Sequence, residues 1–150
     1  NNAGGRLNRR GALALSAGEL GNRYGSLLSL GDISLGLSGF DNQYGQVQTA
    51  GALDAQLSGQ IDNRQGKLIA DRDQRLRASL LHNQGGAVSS GQALSLNAGQ
   101  LNNQGGKMVG QASLSLDLRQ DYVFRDGDTL ASQGPLSLRT HGRHTNEENC

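Results

Sequence analysis

Few side chains in this sequence have types and spacings suited to chemistry, and most of those candidates lack a partner. The histidines are His82, His141 and His144, and His141-x-x-His144 with Cys150 has the residue types of an imidazole–thiolate metal site. It lacks a fourth ligand and an ordered scaffold, so no metal and no cofactor are predicted. Asp126-Gly127-Asp128 suggests calcium, but neither the nonapeptide calcium turn nor the EF-hand loop surrounds it. Gln84-Gly85-Gly86 and Gln104-Gly105-Gly106 look like phosphate-cradling glycines, yet neither opens a helix and both recur at a fixed period. Serines alternate with leucines, as in Ser113-Leu114-Ser115-Leu116, which places them on the outer face of a strand rather than in a Ser/His/Asp set. No catalytic residue is predicted, and the chain reads as a non-enzyme. Two groups remain as a candidate binding surface. Tyr24 and Tyr44 form one, and Arg72, Arg75 and Arg77 within Asp71–Arg77, the most charged stretch, form the other. The first suits a carbohydrate platform or plain ring stacking; the second suits an anionic glycan or partner, or a solvated face.

What must position these residues follows from glycine. There are 23 in 150 residues, about twice the ordinary share, while aromatics are 3% with one Pro and one Cys. A plain helical domain, a disulfide scaffold and collagen are excluded. The balance of 14 Lys and Arg against 13 Asp and Glu gives a formal charge of +1 and no basic stripe for nucleic acid. No apolar run approaches the length of a membrane helix, and no basic start leads into an apolar stretch, so the window holds no membrane span or signal peptide. Beginning at Asn1 without Met, it reads as a segment cut from a longer chain.

The glycines keep time. Asn2, Asn22, Asn42, Asn63, Asn83 and Asn103 stand 20, 20, 21, 20 and 20 residues apart, and three positions after each comes Gly5, Gly25, Gly45, Gly66, Gly86 or Gly106. These Asn-x-x-Gly segments are expected to be structural turns, with Asn and Gly supplying the left-handed backbone. Counting from each Asn, the fifth, eleventh and thirteenth positions are apolar, with Gln74 the exception at the eleventh, and Leu20, Phe40, Ile61, Leu81 and Leu101 precede most of the next turns. Spacing of two means strand with one face inward, so each repeat offers about four inward side chains. A local bulge is expected at Gln74. Tyr24 and Tyr44, both two residues past a turn Asn, are expected to stack on one edge.

One such repeat cannot bury a core, so repeats must stack. The pattern predicts an all-β fold, a parallel β-helix (β-solenoid) of about seven coils with a 20-residue period, rising about 4.8 Å per coil. Inward residues then form ladders, and each Asn amide bonds to the Asn one layer away. A hexapeptide helix, leucine-rich repeats and a transmembrane barrel fit the period or the aromatic content less well. Residues 1–120 form six repeats. An atypical seventh coil follows over 121–140, where Leu130, Leu136, Leu138 and Thr140 resume the spacing, and 141–150 is a frayed or disordered tail.

Leu101-Asn102-Asn103-Gln104-Gly105-Gly106-Lys107-Met108 with Leu114-Ser115-Leu116, and Leu81-His82-Asn83-Gln84-Gly85-Gly86-Ala87-Val88 with Leu94-Ser95-Leu96, resemble the haemagglutinin repeat of filamentous-haemagglutinin-like exoproteins. The resemblance covers about 1–140. It implies a right-handed β-helical shaft of a secreted or cell-surface protein, exported through an outer-membrane two-partner-secretion transporter and projecting a distal domain. Tyr122-Val123-Phe124-Arg125-Asp126-Gly127-Asp128-Thr129-Leu130 is similar to segments of contact-dependent growth-inhibition effectors, so the parent is an adhesin or a toxin carrier. The alternative implied role is direct adhesion, with a glycan or a receptor of a host or neighbouring cell on the outer faces of the coils. A single Cys in 150 residues fits a chain that passes a pore unfolded.

Overall fold

The computed structural model of the chain describes residues 4–16, 18–120, 122 and 127–140. Within them all regular secondary structure is strand, and every strand pairing is parallel. The fold is a parallel β-solenoid of 20 to 22 residues per coil, built by repeating one path. Four residues run along a first sheet, a short bend follows, and a longer strand runs along a second sheet. A corner and a short third strand then lead into the next Asn turn.

The first sheet stacks seven strands: Arg6–Arg9, Ser26–Ser29, Gln46–Thr49, Lys67–Ala70, Ala87–Ser90, Lys107–Gly110 and Thr129–Ser132. The second stacks Leu13–Ser16, Ile33–Leu37, Leu53–Leu57, Gln74–His82, Ala93–Asn102, Ser113–Leu118 and Leu136–Thr140. The short strands Glu19–Gly21, Gly39–Asp41 and Gln60–Asp62 form a third column, which the ends of Gln74–His82 and Ala93–Asn102 continue.

Register turns the sequence period into columns of side chains. Leu7, Leu27, Val47, Leu68, Val88, Met108 and Leu130 lie in line along the first sheet. Leu13, Ile33, Leu53, Gln74, Leu94, Leu114 and Leu136 form the next column, and Leu15, Leu35, Ala55, Leu76, Leu96, Leu116 and Leu138 another. Leu20, Phe40, Ile61, Leu81 and Leu101 fill the third face. A fifth apolar column, Leu37, Leu57, Ala78, Ala98 and Leu118, is also buried. Each middle coil therefore turns five side chains of these columns inward rather than four, all apolar except Gln74. The extra one arises because the second-sheet strand extends two residues past the apolar pair that marks it in sequence. Side chains of the outermost coils are more open, with Leu7, Leu136 and Leu138 exposed.

The expectation about the odd residue is corrected. Gln74 produces no bulge: it pairs in register with Leu53 on one side and Leu94 on the other, fully buried. Its Nε2 donates to Ser89 O at 2.9 Å, so a polar side chain occupies an apolar column by bonding to a backbone carbonyl across the core. The additional residue of the 21-residue interval sits instead at the corner Ser58–Gly59. Leu37 pairs with Leu57, a step of 20, whereas Phe40 pairs with Ile61, a step of 21. Corners tolerate an insertion because no ladder runs through them.

Candidate functional site

The edge made by the Asn turns is the most regular feature of the molecule. Asn22, Asn42, Asn63, Asn83 and Asn103 are buried, with their amides pointing inward. Nδ2 of Asn22 donates to Oδ1 of Asn42 at 2.7 Å, Asn42 to Asn63 at 2.8 Å, Asn63 to Asn83 at 2.8 Å and Asn83 to Asn103 at 2.7 Å. The second amide hydrogen reaches a backbone carbonyl of the next coil: Gln46 O, Lys67 O, Ala87 O and Lys107 O at 3.0–3.2 Å. Five buried side-chain amides thus form one continuous chain of hydrogen bonds along the stack, each polarised in the same direction. Asn2 lies outside the described residues. A shorter polar set lines the first sheet's end, where Ser29, Thr49 and Ser90 hydroxyls donate to backbone carbonyls of Gly11, Gly31 and Arg72.

The turn itself divides its work differently from the sequence reading. The N–H of each turn glycine donates to the carbonyl of its own Asn, from Gly25 to Asn22 at 2.9 Å through Gly106 to Asn103 at 2.8 Å. Positive φ falls on the residue two after the Asn and not on the Asn or on the turn glycine. It is +56° at Tyr24, +57° at Tyr44 and +59° at Gln65, with glycines Gly4, Gly85 and Gly105 at +66° to +69°. Left-handed backbone at the third position of a four-residue turn is the type II signature. The glycine three after the Asn is required for space. A Cβ on Gly66 would strike Asn42 O and come within 2.6 Å of Asn63 Oδ1, and Gly45, Gly86 and Gly106 meet the same pair of obstacles in their coils.

Because Tyr24 and Tyr44 occupy this left-handed position in successive coils, their side chains leave the edge in parallel. The rings stack with centroids 5.0 Å apart and planes 5° from parallel, and they remain 65% and 52% exposed. The three arginines lie elsewhere. Arg72 is in the bend before the second sheet, while Arg75 and Arg77 point outward from that sheet, Arg75 beside Asp32, Asp54 and Asp73. Arg77 borders a shallow hollow with Gly36, Ser38, Gln56 and Ser58. Tyrosines and arginines therefore occupy different corners and faces of the coil and do not converge on one site.

Next to the Asn edge, the carboxylate before the turn caps it. Asp41 Oδ1 accepts from Gln43 N at 3.1 Å, and Asp62 holds Arg64 through an ion pair of 2.6 Å. Burial alone raises the Asp62 pKa, but hydrogen bonds from the Arg64 side chain and backbone, with its charge, outweigh that and leave the carboxyl below its usual value. Arg64 is pushed upward in turn by its bond to Asp62. His82 ends the strand Gln74–His82 and pairs with Asp62 and Asn102 in the ladder. Among the described residues no three His, Cys, Asp or Glu side chains gather closely enough to hold a metal ion. His141, His144, Cys150 and Asp126 lie outside the described residues.

The repeat has a counterpart among known families. The model of the haemagglutinin repeat matches residues 1–36, 25–81, 48–121 and 114–149. The chain belongs to the haemagglutinin-repeat family. Those overlapping matches, each longer than one coil, together span the coils whose Asn, Gly and Leu columns are described above. No curated protein and no solved structure matches the chain. No helix is long and apolar enough to cross a membrane among the described residues. A β-solenoid of haemagglutinin repeats fits the structural shaft of a filamentous-haemagglutinin-like protein.

Proposed function

We propose that this chain is a shaft segment of a large exported bacterial surface protein, and that it sets the reach of a distal domain by its number of coils. The observation that supports this reading is the unbroken column structure. Two sheets, five apolar columns and the Asn chain all run parallel to the stacking direction, so each added coil repeats every interaction of the last. Export through an outer-membrane two-partner-secretion transporter suits a chain whose coils need no disulfide, with one Cys in 150 residues. The parent protein then stands on the cell surface or is released as an adhesin or a toxin carrier. Deleting whole coils from the parent protein tests the reading: reach measured by electron microscopy of intact cells falls in equal steps per coil, with export unchanged. Reach that does not depend on coil number overturns it.

A second reading is favoured by the exposed tyrosine pair. In it the outer faces bind a glycan or surface receptor directly, through Tyr24 and Tyr44 or, separately, through Arg72, Arg75 and Arg77. Glycan-array binding that is lost in Tyr24→Ala or Arg75→Ala supports this second role. A flat array removes it and leaves the shaft.

A further inference from the structure

The left-handed position of the turn, which favours glycine, carries a non-glycine residue in three coils: Tyr24, Tyr44 and Gln65. Gly4, Gly85 and Gly105 fill it in other coils at almost the same φ as Tyr24 and Tyr44. A non-glycine residue at positive φ is strained relative to glycine and is held there by the surrounding ladder, as it is at Tyr24, Tyr44 and Gln65. Of these three residues the two tyrosines lie in successive coils, stacked at 5.0 Å and open to solvent. Among the described residues the other exposed large apolar side chains are leucines, Leu7, Leu30, Leu136 and Leu138, so Tyr24 and Tyr44 are the exposed aromatic rings.

From this geometry we propose that Tyr24 and Tyr44 form an oxidative cross-linking site, coupled as a dityrosine that joins the second coil to the third. Hydrogen peroxide with a peroxidase is the oxidant class required. Each phenol loses one electron and its O–H proton and becomes a phenoxyl radical. The two radicals combine through a new C–C bond between one Cε of each ring. The hydrogens on those two carbons then move to the phenoxyl oxygens, which restores both aromatic rings and both hydroxyls. The two electrons and two protons released reduce one hydrogen peroxide to two waters. Stacking places each radical beside the other ring before it can diffuse to a second chain, and exposure leaves both rings free to tilt into bonding distance. Such a link fastens two coils that hydrogen bonds and burial already join, and closes a 20-residue segment that the unfolded chain would otherwise leave open.

The remaining tyrosine provides an internal control. Tyr122 is partly buried, and its hydroxyl donates to Asp128 Oδ2 at 3.0 Å. The purified chain is treated with peroxidase and hydrogen peroxide, folded or unfolded in urea, and digested for mass spectrometry with dityrosine fluorescence as a second readout. The expected product from the folded chain is one intrachain link between the peptides of Tyr24 and Tyr44, lighter by two hydrogens, and it is lost on unfolding. Tyr24→Phe and Tyr44→Phe keep the stack and abolish the link, while Tyr122→Phe retains it. Tyr24→Gly, matched to the backbone, serves as a folded variant if a Phe variant misfolds, and it too gives no link. Links that form between chains or to Tyr122, or equal yield from the unfolded chain, overturn the proposal.

Discussion

Asn63 is the middle amide of the chain that runs along the turn edge, and replacing it tests whether that chain holds the stack. In Asn63→Ala, Asn83 Oδ1 loses the donor that reaches it at 2.8 Å, and Asn42 Nδ2 loses its acceptor, though it keeps Lys67 O at 3.1 Å. Ala87 O loses its side-chain donor as well. One buried acceptor left unmade costs about 1–3 kcal/mol, and the weakened neighbours with the small void bring the loss to about 3–5 kcal/mol. Asn63→Asp asks the same question with a titration. The carboxylate still accepts from Asn42, but its other oxygen meets Asn83 Oδ1, acceptor against acceptor, in a site with no exposure. Burial without a cation raises its folded pKa above the unfolded value of about 3.9. The folded state then binds more protons than the unfolded state between those two values. Relative stability is fullest below about 4, where the protonated acid donates to Asn83, and it is lost as pH rises through the folded pKa. Urea denaturation of wild type and both variants across this range reads the difference, with hydrogen exchange locating it in the third and fourth coils. Exposed Asn97→Ala is the reference and shifts stability by no more than about 0.5 kcal/mol. Asn63→Ala behaving like Asn97→Ala, or Asn63→Asp showing no recovery in acid, refutes the load assigned to the amide chain.

Gly66→Ala meets Asn42 O and Asn63 Oδ1, both fixed by the ladder, whereas a Cβ on Gly105 meets nothing within 4 Å and only the strain of positive φ. Urea midpoints are expected to fall severely for Gly66→Ala and by only about 1–2 kcal/mol for Gly105→Ala. Gln74→Leu puts a leucine between Leu53 and Leu94 and removes Gln74 Oε1, a buried oxygen without a hydrogen-bond partner. Thermal unfolding is expected to show a gain of about 1 kcal/mol, reduced by the lost bond to Ser89 O. Asp62 has a depressed pKa, so the unfolded state holds more protons between its two values, and stability present above about 4 is lost as pH falls through the folded value. Asp62→Asn is expected to flatten that part of an acid denaturation curve.

The period of 20 and the spacing of two carried the fold to the residue level, because in a parallel solenoid every inward position repeats once per coil and register follows from the count. Leu27, Val47, Leu68, Val88 and Met108 are aligned as their spacing from the turn Asn requires. Sequence spacing says less about why a residue occupies a turn. Gly66 and Gly85 are both glycines of the same edge, yet one is there to make room and the other to reach positive φ. The signal that separates them is the Gly-Gly doublet at 4–5, 85–86 and 105–106, whose first member marks the left-handed position and aligns with Tyr24, Tyr44 and Gln65. The insertion at Ser58–Gly59 is written in the apolar spacing: Ile61 stands 19 residues after Asn42, whereas Phe40, Leu81 and Leu101 stand 18 after Asn22, Asn63 and Asn83. Side chains on the outer faces have no periodic constraint, so the separation of Arg75 and Arg77 from the tyrosines emerges only when the coils are stacked.

If reach is set by coil number, inserting a second copy of Asn83–Asn102 keeps every column and the Asn chain in phase and adds one layer. Small-angle scattering of the chain with and without the duplication measures this directly. The maximum dimension is expected to grow by about 4.8 Å with an unchanged cross-section, whereas an unchanged length with a wider cross-section, or scattering from a flexible loop, would contradict the shaft.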